Sequence, residues 1–247
     1  MVTTDKETNH DADVTKELAR ITSEGTDAKG FANVVRGLAG SAKTAGAAAV
    51  ASGRWLADTA VDLAGQLPVR SIDDLRREFP DKSAEEVADE LVAQAAKATG
   101  AIGAVAGGLA AASWFAPPTW VAMPIELVTE TLAVAAVEMR LIGELHAVYE
   151  RPVQAAGSER AGALAHAWAS GGAVAPEYLA AGPSGAALWT AAAKRQLNRG
   201  LRRRLARRAG RSAASFLPFL VGAAAGMKLN SGATNNLSDK VRRELTR

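Results

Sequence analysis

Apolar residues along this chain recur at helical rather than strand spacing. The clearest case is the series Leu197, Leu201 and Leu205, in which apolar residues follow one another at intervals of four. No segment alternates apolar and polar residues in the way a half-buried strand does. The pattern therefore predicts an all-α protein, a single compact multi-helix bundle.

Capping residues mark the starts of two neighbouring helices. Ser71 is the predicted N-cap of a short helix that ends before Pro80. Ser83 and Glu86 have the spacing of a capping box, in which the serine bonds forward and the glutamate bonds back. This box opens a predicted helix over 84–98.

Prolines and glycines separate the remaining predicted helices. Pro124 suits the first turn of a long helix over 125–149, and Pro152 stops the chain after it. One or two helices are predicted over 31–65, with a break near Gly46 or at Ser52-Gly53. The other predicted helices cover 161–170, 177–181, 186–208 and 236–245.

The first 28 residues differ in character from the rest. They are polar and weakly patterned, which predicts a mobile tail with a short helix over 13–21. Residues 29–247 are predicted to form one domain. The opening residues also lack the basic and then apolar run of a secretory signal. We therefore expect a cytoplasmic protein that associates peripherally with a membrane.

Composition narrows the way the core can be built. Aromatic residues make up 5% of the chain, so Ala, Leu and Val must fill the interior. An interior rich in Ala and Gly allows close helix–helix contact and disfavours sheets. The chain has no cysteine, which excludes disulfides and thiolate metal sites.

Charge is distributed unevenly although the net charge is only +3. Residues 194–211, here called the arginine segment, hold nine Lys and Arg and no acid. Such a segment favours an anionic partner. Stacking aromatics and a helix-turn-helix pattern are both missing, so we expect a membrane surface or a membrane-protein partner and no nucleic acid. The predicted binding residues are Arg199, Arg202, Arg203, Arg204, Arg207 and Arg208.

Two stretches carry no charge, 98–124 and 212–227. The first is long enough to span a bilayer, but Ala and Gly contribute little transfer energy. The spacing Gly103-x-x-x-Gly107 permits close helix contact in membranes and in soluble bundles alike. We therefore favour a buried helix or hairpin over a membrane span. Peripheral attachment through the basic helix and these apolar segments stays open.

The helix over 125–149 places charged residues among apolar neighbours, and such charges need partners. One interpretation is a structural ion-pair cluster, supported by an arginine within the series Glu126, Glu130, Glu138, Arg140 and Glu144. The other is an acid–base or metal-dependent enzyme with Glu130, Glu144 and His146 as candidate catalytic residues.

The structural interpretation of this helix is favoured, because the Glu-x-x-His spacing of bundle di-metal sites is absent. Neither a bound metal nor another cofactor is expected. His146 and Glu150, at i and i+4, are predicted to form a hydrogen-bonded pair.

The segment from Gly37 to Thr44 is one residue short of a phosphate-binding P-loop. Ala42 stands before Lys43, where the motif requires a glycine so that the backbone can wrap a phosphate. A convincing preceding strand is also missing. We interpret the similarity as chance.

Two runs resemble the EcsC family of bacterial proteins: AEEVADELVAQAAKATGAIGAVAGG and PIELVTETLAVAAVEMRLIGELHAVYE. The resemblance covers about residues 70–247, and its most specific piece is E-x-[KR]-L-I-x-E-L-H from Glu138 to His146. At Glu150 the chain departs from the pattern, which has a glycine after the tyrosine. The resemblance implies an all-helical fold and, from the family's association with a transporter, a membrane-linked accessory role. It supplies no established catalytic residues.

These observations predict a non-enzymatic accessory or adaptor protein that associates peripherally with a membrane and is linked to a membrane transport system. The alternative is the enzyme that uses the glutamate-rich helix. A third hypothesis is a structural bundle that acts through homo-oligomerisation of its small-residue faces.

Overall fold

The computed structural model describes residues 28–46, 54–113, 125–154, 157–176 and 219–247, and single positions or short runs between 178 and 206. The predicted tail over residues 1–28 lies outside these residues except at its last position, where the first helix begins. The predicted helix over 13–21 lies outside them as well.

The described residues form helices and no strand, which confirms the all-α prediction. Seven helices have defined bounds: α1 (Ala28–Ala45), α2 (Arg54–Gln66), α3 (Ile72–Glu78), α4 (Ala84–Ser113), α5 (Ile125–Val148), α6 (Gly157–Ser170) and α7 (Phe219–Leu245). The described positions from 195 to 206 are also helical.

Both predicted caps are present. The Ser83 hydroxyl accepts from the backbone N–H of Glu86 (3.4 Å), and the Glu86 carboxylate accepts from the backbone N–H of Ser83 (2.8 Å). Ser71 forms the same reciprocal pair with Asp74. The hydrogen bonds from the serines lower the pKa values of Glu86 and Asp74. Local sequence alone therefore determines where α3 and α4 start.

The break between α1 and α2 lies where the sequence predicts it. Gly46 follows the last residue of α1 with a φ of +84°, a left-handed conformation that glycine adopts without strain. The P-loop-like segment lies inside α1, where Lys43 belongs to the last helical turn rather than to a loop. The segment therefore does not have the structure of a P-loop.

Helices α4 and α7 are longer than predicted. The predicted helix over 84–98 continues to residue 113, and the predicted helix over 236–245 begins at residue 219. The missed parts contain several glycines, which have low helix propensity, so the sequence alone gives only a weak indication of a helix there. Packing of one helix on the other stabilises both.

The contact between α4 and α7 depends on glycine. The helices run antiparallel, since Thr99 contacts Thr234 while Glu85 contacts Arg242 further along. A Cβ added at Gly103 would lie 2.3 Å from the carbonyl oxygen of Gly226. The two backbones touch here, and no larger residue fits without moving one helix.

Helix α5 is the centre of the molecule. It contacts each of the other six bounded helices, and Leu132, Met139 and Ile142 are fully buried in it. A helix that is hydrophobic on all sides belongs in a core. Polar side chains on α5 are therefore surrounded by other helices, and the fold decides which distant residues they meet.

The turn after α5 keeps its tight form although the expected glycine is absent. Glu150 has a φ of +55°, and the N–H of Arg151 donates to the carbonyl of His146 (2.9 Å). A second bond runs from the N–H of Glu150 to the carbonyl of Ala147 (3.1 Å). This is a Schellman C-cap with a glutamate in the left-handed position.

Among the described residues, none of the helices is both long and apolar enough to cross a membrane.

Candidate functional site

Glu144 of α5 is the most completely enclosed ion-pair partner described. Its side chain is 3% exposed, and Arg70, in the loop before α3, binds it through two parallel bonds. Arg70 Nε donates to Oε1 and Nη2 donates to Oε2, each at 2.8 Å. This fork geometry suits a guanidinium and a carboxylate, and it joins residues 74 positions apart.

A second guanidinium group, that of Arg140, also binds Glu144. We call Glu144, Arg70, Arg140 and Glu78 the Glu144 cluster. Arg140 Nε donates to Glu144 Oε1 at 2.8 Å from one turn earlier in α5, and Arg70 Nη1 also donates to the more exposed Glu78 at 2.7 Å. The hydrogen bonds to Glu144 raise the pKa of Arg70 above its ordinary value. Both oxygens of Glu144 are engaged with cations.

Glu138, two turns before Glu144, makes contacts of another kind. Its side chain is fully buried, Trp168 Nε1 donates to Oε2 at 2.6 Å, and the Thr234 hydroxyl donates to Oε1 at 2.9 Å. The hydroxyls of Thr99 and Thr234 lie 2.9 Å apart. The Glu138 carboxylate thus connects α5 with α6 and α7, and Thr234 extends this hydrogen-bond network to Thr99 of α4.

The remaining glutamates of α5 fall elsewhere. Glu130 accepts from the Asn230 side chain at 2.8 Å, and the Glu126 side chain lies outside the described residues. The contacts thus divide the predicted ion-pair cluster into separate sets along α5. The pair of Arg140 with Glu144 is an ion pair of the kind the sequence predicted, and it is local in sequence.

His146 is fully buried and bonded on both ring nitrogens. The backbone N–H of Val174 donates to Nε2 at 2.9 Å, so Nδ1 must carry the proton and donate to the carbonyl of Arg151, also at 2.9 Å. Burial lowers the pKa of His146. The predicted pair with Glu150 is wrong, since Glu150 bonds Arg76 instead.

These contacts favour a structural role for the candidate catalytic residues. Both nitrogens of His146 are used by backbone groups, and both oxygens of Glu144 accept from guanidinium groups. A general base needs a lone pair that can reach a substrate proton. Within the part of the chain that the structure describes, no group of three or more His, Asp or Glu could hold a metal ion.

A second ionic cluster joins α4, α7 and the turn after α5 near the surface. Arg242 donates to Asp89 through Nη1 at 2.6 Å, to Glu85 through Nη2, and to the Tyr149 hydroxyl through Nε at 3.1 Å. The Tyr149 hydroxyl in turn donates to Glu85. Burial is the main cause that raises the pKa of Tyr149. We call this group the Arg242 cluster.

The arginine segment presents charge outward and apolar residues inward. Leu197, Leu201 and Leu205 are buried at 0 to 2% exposure, which confirms the predicted apolar seam. Arg199, Arg202 and Arg203 are exposed. The other predicted binding residues, Arg204, Arg207 and Arg208, have side chains outside the described residues.

Sequence reasoning missed the distant partners of the α5 carboxylates. Asn230 and Thr234, with Ser238 one turn further, form a buried polar series at intervals of four on α7. Such a series in a small-residue helix was the available signal. Arg70 and Trp168 had no comparable signal.

Comparisons with known protein families, with curated proteins and with solved structures find no match to this chain. The resemblance to the EcsC family stays a prediction.

Proposed function

We propose that this protein is a non-enzymatic accessory protein that binds an anionic membrane surface, or a membrane-protein partner, through the arginine segment. The observation that carries the proposal is the split between buried leucines and exposed arginines on one helical segment. A partner that contacts this segment would therefore meet positively charged side chains rather than apolar ones.

The buried seam also determines how the segment binds. Leu197, Leu201 and Leu205 are already packed in the core, so this helix cannot insert its apolar side without unfolding from the body. Binding through it is therefore electrostatic, with each basic residue near an anionic surface contributing about 1 kcal/mol. Such attraction weakens strongly as salt screens it.

The test is co-sedimentation of the full chain with phosphatidylcholine vesicles that contain or lack phosphatidylserine. We expect binding only with the anionic lipid, and release by high salt. Equal binding to both kinds of vesicle, or to neither, contradicts the membrane form of the proposal.

A triple variant identifies the binding residues. Replacing Arg199, Arg202 and Arg203 by glutamine should weaken binding to anionic vesicles about 100-fold. The matched control replaces three exposed cations on other helices by glutamine: Lys43, Arg54 and Arg243. If the control weakens binding equally, net charge rather than this segment causes attachment.

A further inference from the structure

The loop after α6, residues 171–174, is here called the α6 loop. Gly171 follows the helix with a φ of +73°, and the backbone N–H groups of Gly171 and Gly172 donate to the carbonyl of Ala167 (2.9 and 3.1 Å). These bonds end the helix in the local way that a left-handed glycine allows. The first half of the loop therefore needs no other helix.

The second half of the α6 loop is held by two ionisable side chains from other helices. The N–H of Ala173 donates to Glu244 Oε2 of α7 (2.8 Å), and the N–H of Val174 donates to His146 Nε2 of α5 (2.9 Å). Gly172 permits this approach, since a Cβ added there would lie 2.7 Å from Glu244 Oε2. The position of these two loop residues thus depends on groups whose charge can change with pH.

The α6 loop connects α6 to the part of the chain that contains the arginine segment. A Cβ added at Gly200, which is buried in that segment, would lie 2.7 Å from the carbonyl oxygen of Ala169. Ala169 belongs to the last turn of α6, two residues before the loop. The arginine segment therefore packs against the end of α6 that the loop continues.

His146 can hold the loop only while Nε2 is unprotonated. Its Nδ1 donates to the carbonyl of Arg151, so Nε2 presents a lone pair to the N–H of Val174. A second proton would turn Nε2 into a donor that faces another donor. Val174 is 3% exposed, so its N–H would be left unsatisfied in a buried place. Protonation of His146 and the closed loop therefore exclude each other.

The groups around this bond oppose protonation of the ring. Burial is the main cause that lowers the pKa of His146, and the positive charge of Arg151 acts in the same direction. On α7, Glu244 lies 3.8 Å from Lys240 and accepts from the loop, and on α6 the ring of His166 lies 5.4 Å from that of Tyr178. Both nitrogens of His146 are bonded to backbone groups, so acid must break a bond in order to protonate it.

We propose that the bond between Val174 and His146 is an acid-sensitive latch, which opens the α6 loop while the helices of the bundle remain folded. Because the ring accepts a second proton only in the open loop, the ratio of open to closed loop should rise about tenfold per pH unit below about pH 6.5. Between pH 7.5 and 5 the expected increase is about 30-fold. The latch goes beyond the proposed function and does not depend on what the arginine segment binds.

Native-state hydrogen exchange, followed by NMR on the full chain, tests the latch at the amide that it holds. The protection factor of the Val174 N–H, which is corrected for intrinsic exchange, should fall by about 30-fold between pH 7.5 and 5. At pH 5 its exchange should not accelerate in low urea, because a local opening exposes little surface. Core amides that exchange through global unfolding should accelerate.

Two histidine variants form a matched pair for this measurement. His146→Gln keeps an acceptor for Val174 and a donor for Arg151 but does not titrate, so the fall in protection should disappear. His166→Gln replaces the half-buried histidine of α6, and the fall in protection should remain as in the wild type.

Three results would overturn the latch. The first is a wild-type protection factor at Val174 that does not change with pH. The second is a loss of protection that follows urea in step with the core amides, since the loop would then open only by global unfolding. The third is a fall in protection that disappears in His166→Gln and persists in His146→Gln.

NMR of the imidazole nitrogens in the wild type keeps the test decisive if His146→Gln does not fold. Nε2 of His146 should carry no proton at pH 7.5, and its protonation should accompany the loss of protection at Val174. A protonated ring beside a fully protected Val174 N–H would overturn the proposal.

Discussion

The Glu144 cluster and the Arg242 cluster are inverse arrangements of the same chemistry. In the first, one carboxylate binds two guanidinium groups, and in the second, one guanidinium binds two carboxylates. The difference is burial: Glu144 is 3% exposed, whereas Glu85 and Asp89 are 59% and 68% exposed. The two clusters have similar hydrogen-bond geometry, but they should contribute very differently to the stability of the fold.

The physical reason is the solvent around each charge. Water screens the exposed carboxylates whether or not Arg242 binds them, so their pairing adds little. Glu144 and its two cations have lost most of their water, so removing the carboxylate that the two guanidinium groups share leaves positive charge in a poorly solvated place. The comparison teaches that the burial of an ion pair, rather than the number of its hydrogen bonds, determines how much it contributes to the free energy of unfolding.

The largest expected effect comes from Glu144→Gln. This change leaves Arg70 and Arg140 largely buried without their shared anion, so the free energy of unfolding should fall by about 3–5 kcal/mol. Urea denaturation measures it as a shift in midpoint. The control is Glu78→Gln, which removes an exposed partner of the same Arg70 and should cost less than about 1 kcal/mol. Equal losses in the two variants would show that burial does not decide the outcome.

Acid should act on the buried region next to Glu144 through His146. Its pKa is lowered in the folded protein, so the unfolded chain binds more protons and stability falls as the pH drops below about 6.5. The slope contributed by one such group is at most about 1.4 kcal/mol per pH unit. Unfolding measured from pH 7.5 to 5 should show a flatter dependence in His146→Gln than in the wild type. A variant with the wild-type slope would remove His146 as the cause.

A smaller loss is expected from Arg242→Gln. Most of its partners are exposed, so the free energy of unfolding should fall by about 1 kcal/mol near 0.1 M salt. In about 1 M NaCl this loss should shrink, while the loss in Glu144→Gln should persist because buried pairs are screened less. Arg243→Gln, at the exposed neighbouring position, is the control. If salt reduced the two losses equally, the claim that burial protects the Glu144 cluster from screening would be contradicted.

The smallest effect should be a gain. Glu150 forms an exposed ion pair with Arg76 but stands in a left-handed conformation that favours glycine. Glu150→Gly relieves that strain and should raise the free energy of unfolding by roughly 0.5–1 kcal/mol. Glu150→Ala removes the same ion pair and keeps the strain, so it should give no gain. A loss in the glycine variant would show that this ion pair outweighs the backbone strain.

Prediction from the sequence worked where the interactions are local. Two examples are contacts within about one helical turn: the capping box of Ser83 with Glu86 and the ion pair of Arg140 with Glu144. A third is the break at Gly46, which depends on the backbone conformation of a single residue. Prediction failed for the lengths of α4 and α7, since their Gly- and Ala-rich halves are helical through contact with each other. The partner of His146 was also wrong, because its real partners are backbone groups brought close by the fold.

The features of the candidate site also separate into those that depend on local sequence and those that depend on helix packing. The sequence by itself determined the helical class, the starts of α3 and α4, the buried leucine seam of the arginine segment and the uneven charge, because these depend on residue type and short spacing. Only the tertiary structure decided that Arg70 meets Glu144, that Trp168 and Thr234 meet Glu138, and that Gly103 of α4 touches Gly226 of α7. Those contacts join residues 30 to more than 100 positions apart, and their formation depends on how whole helices pack.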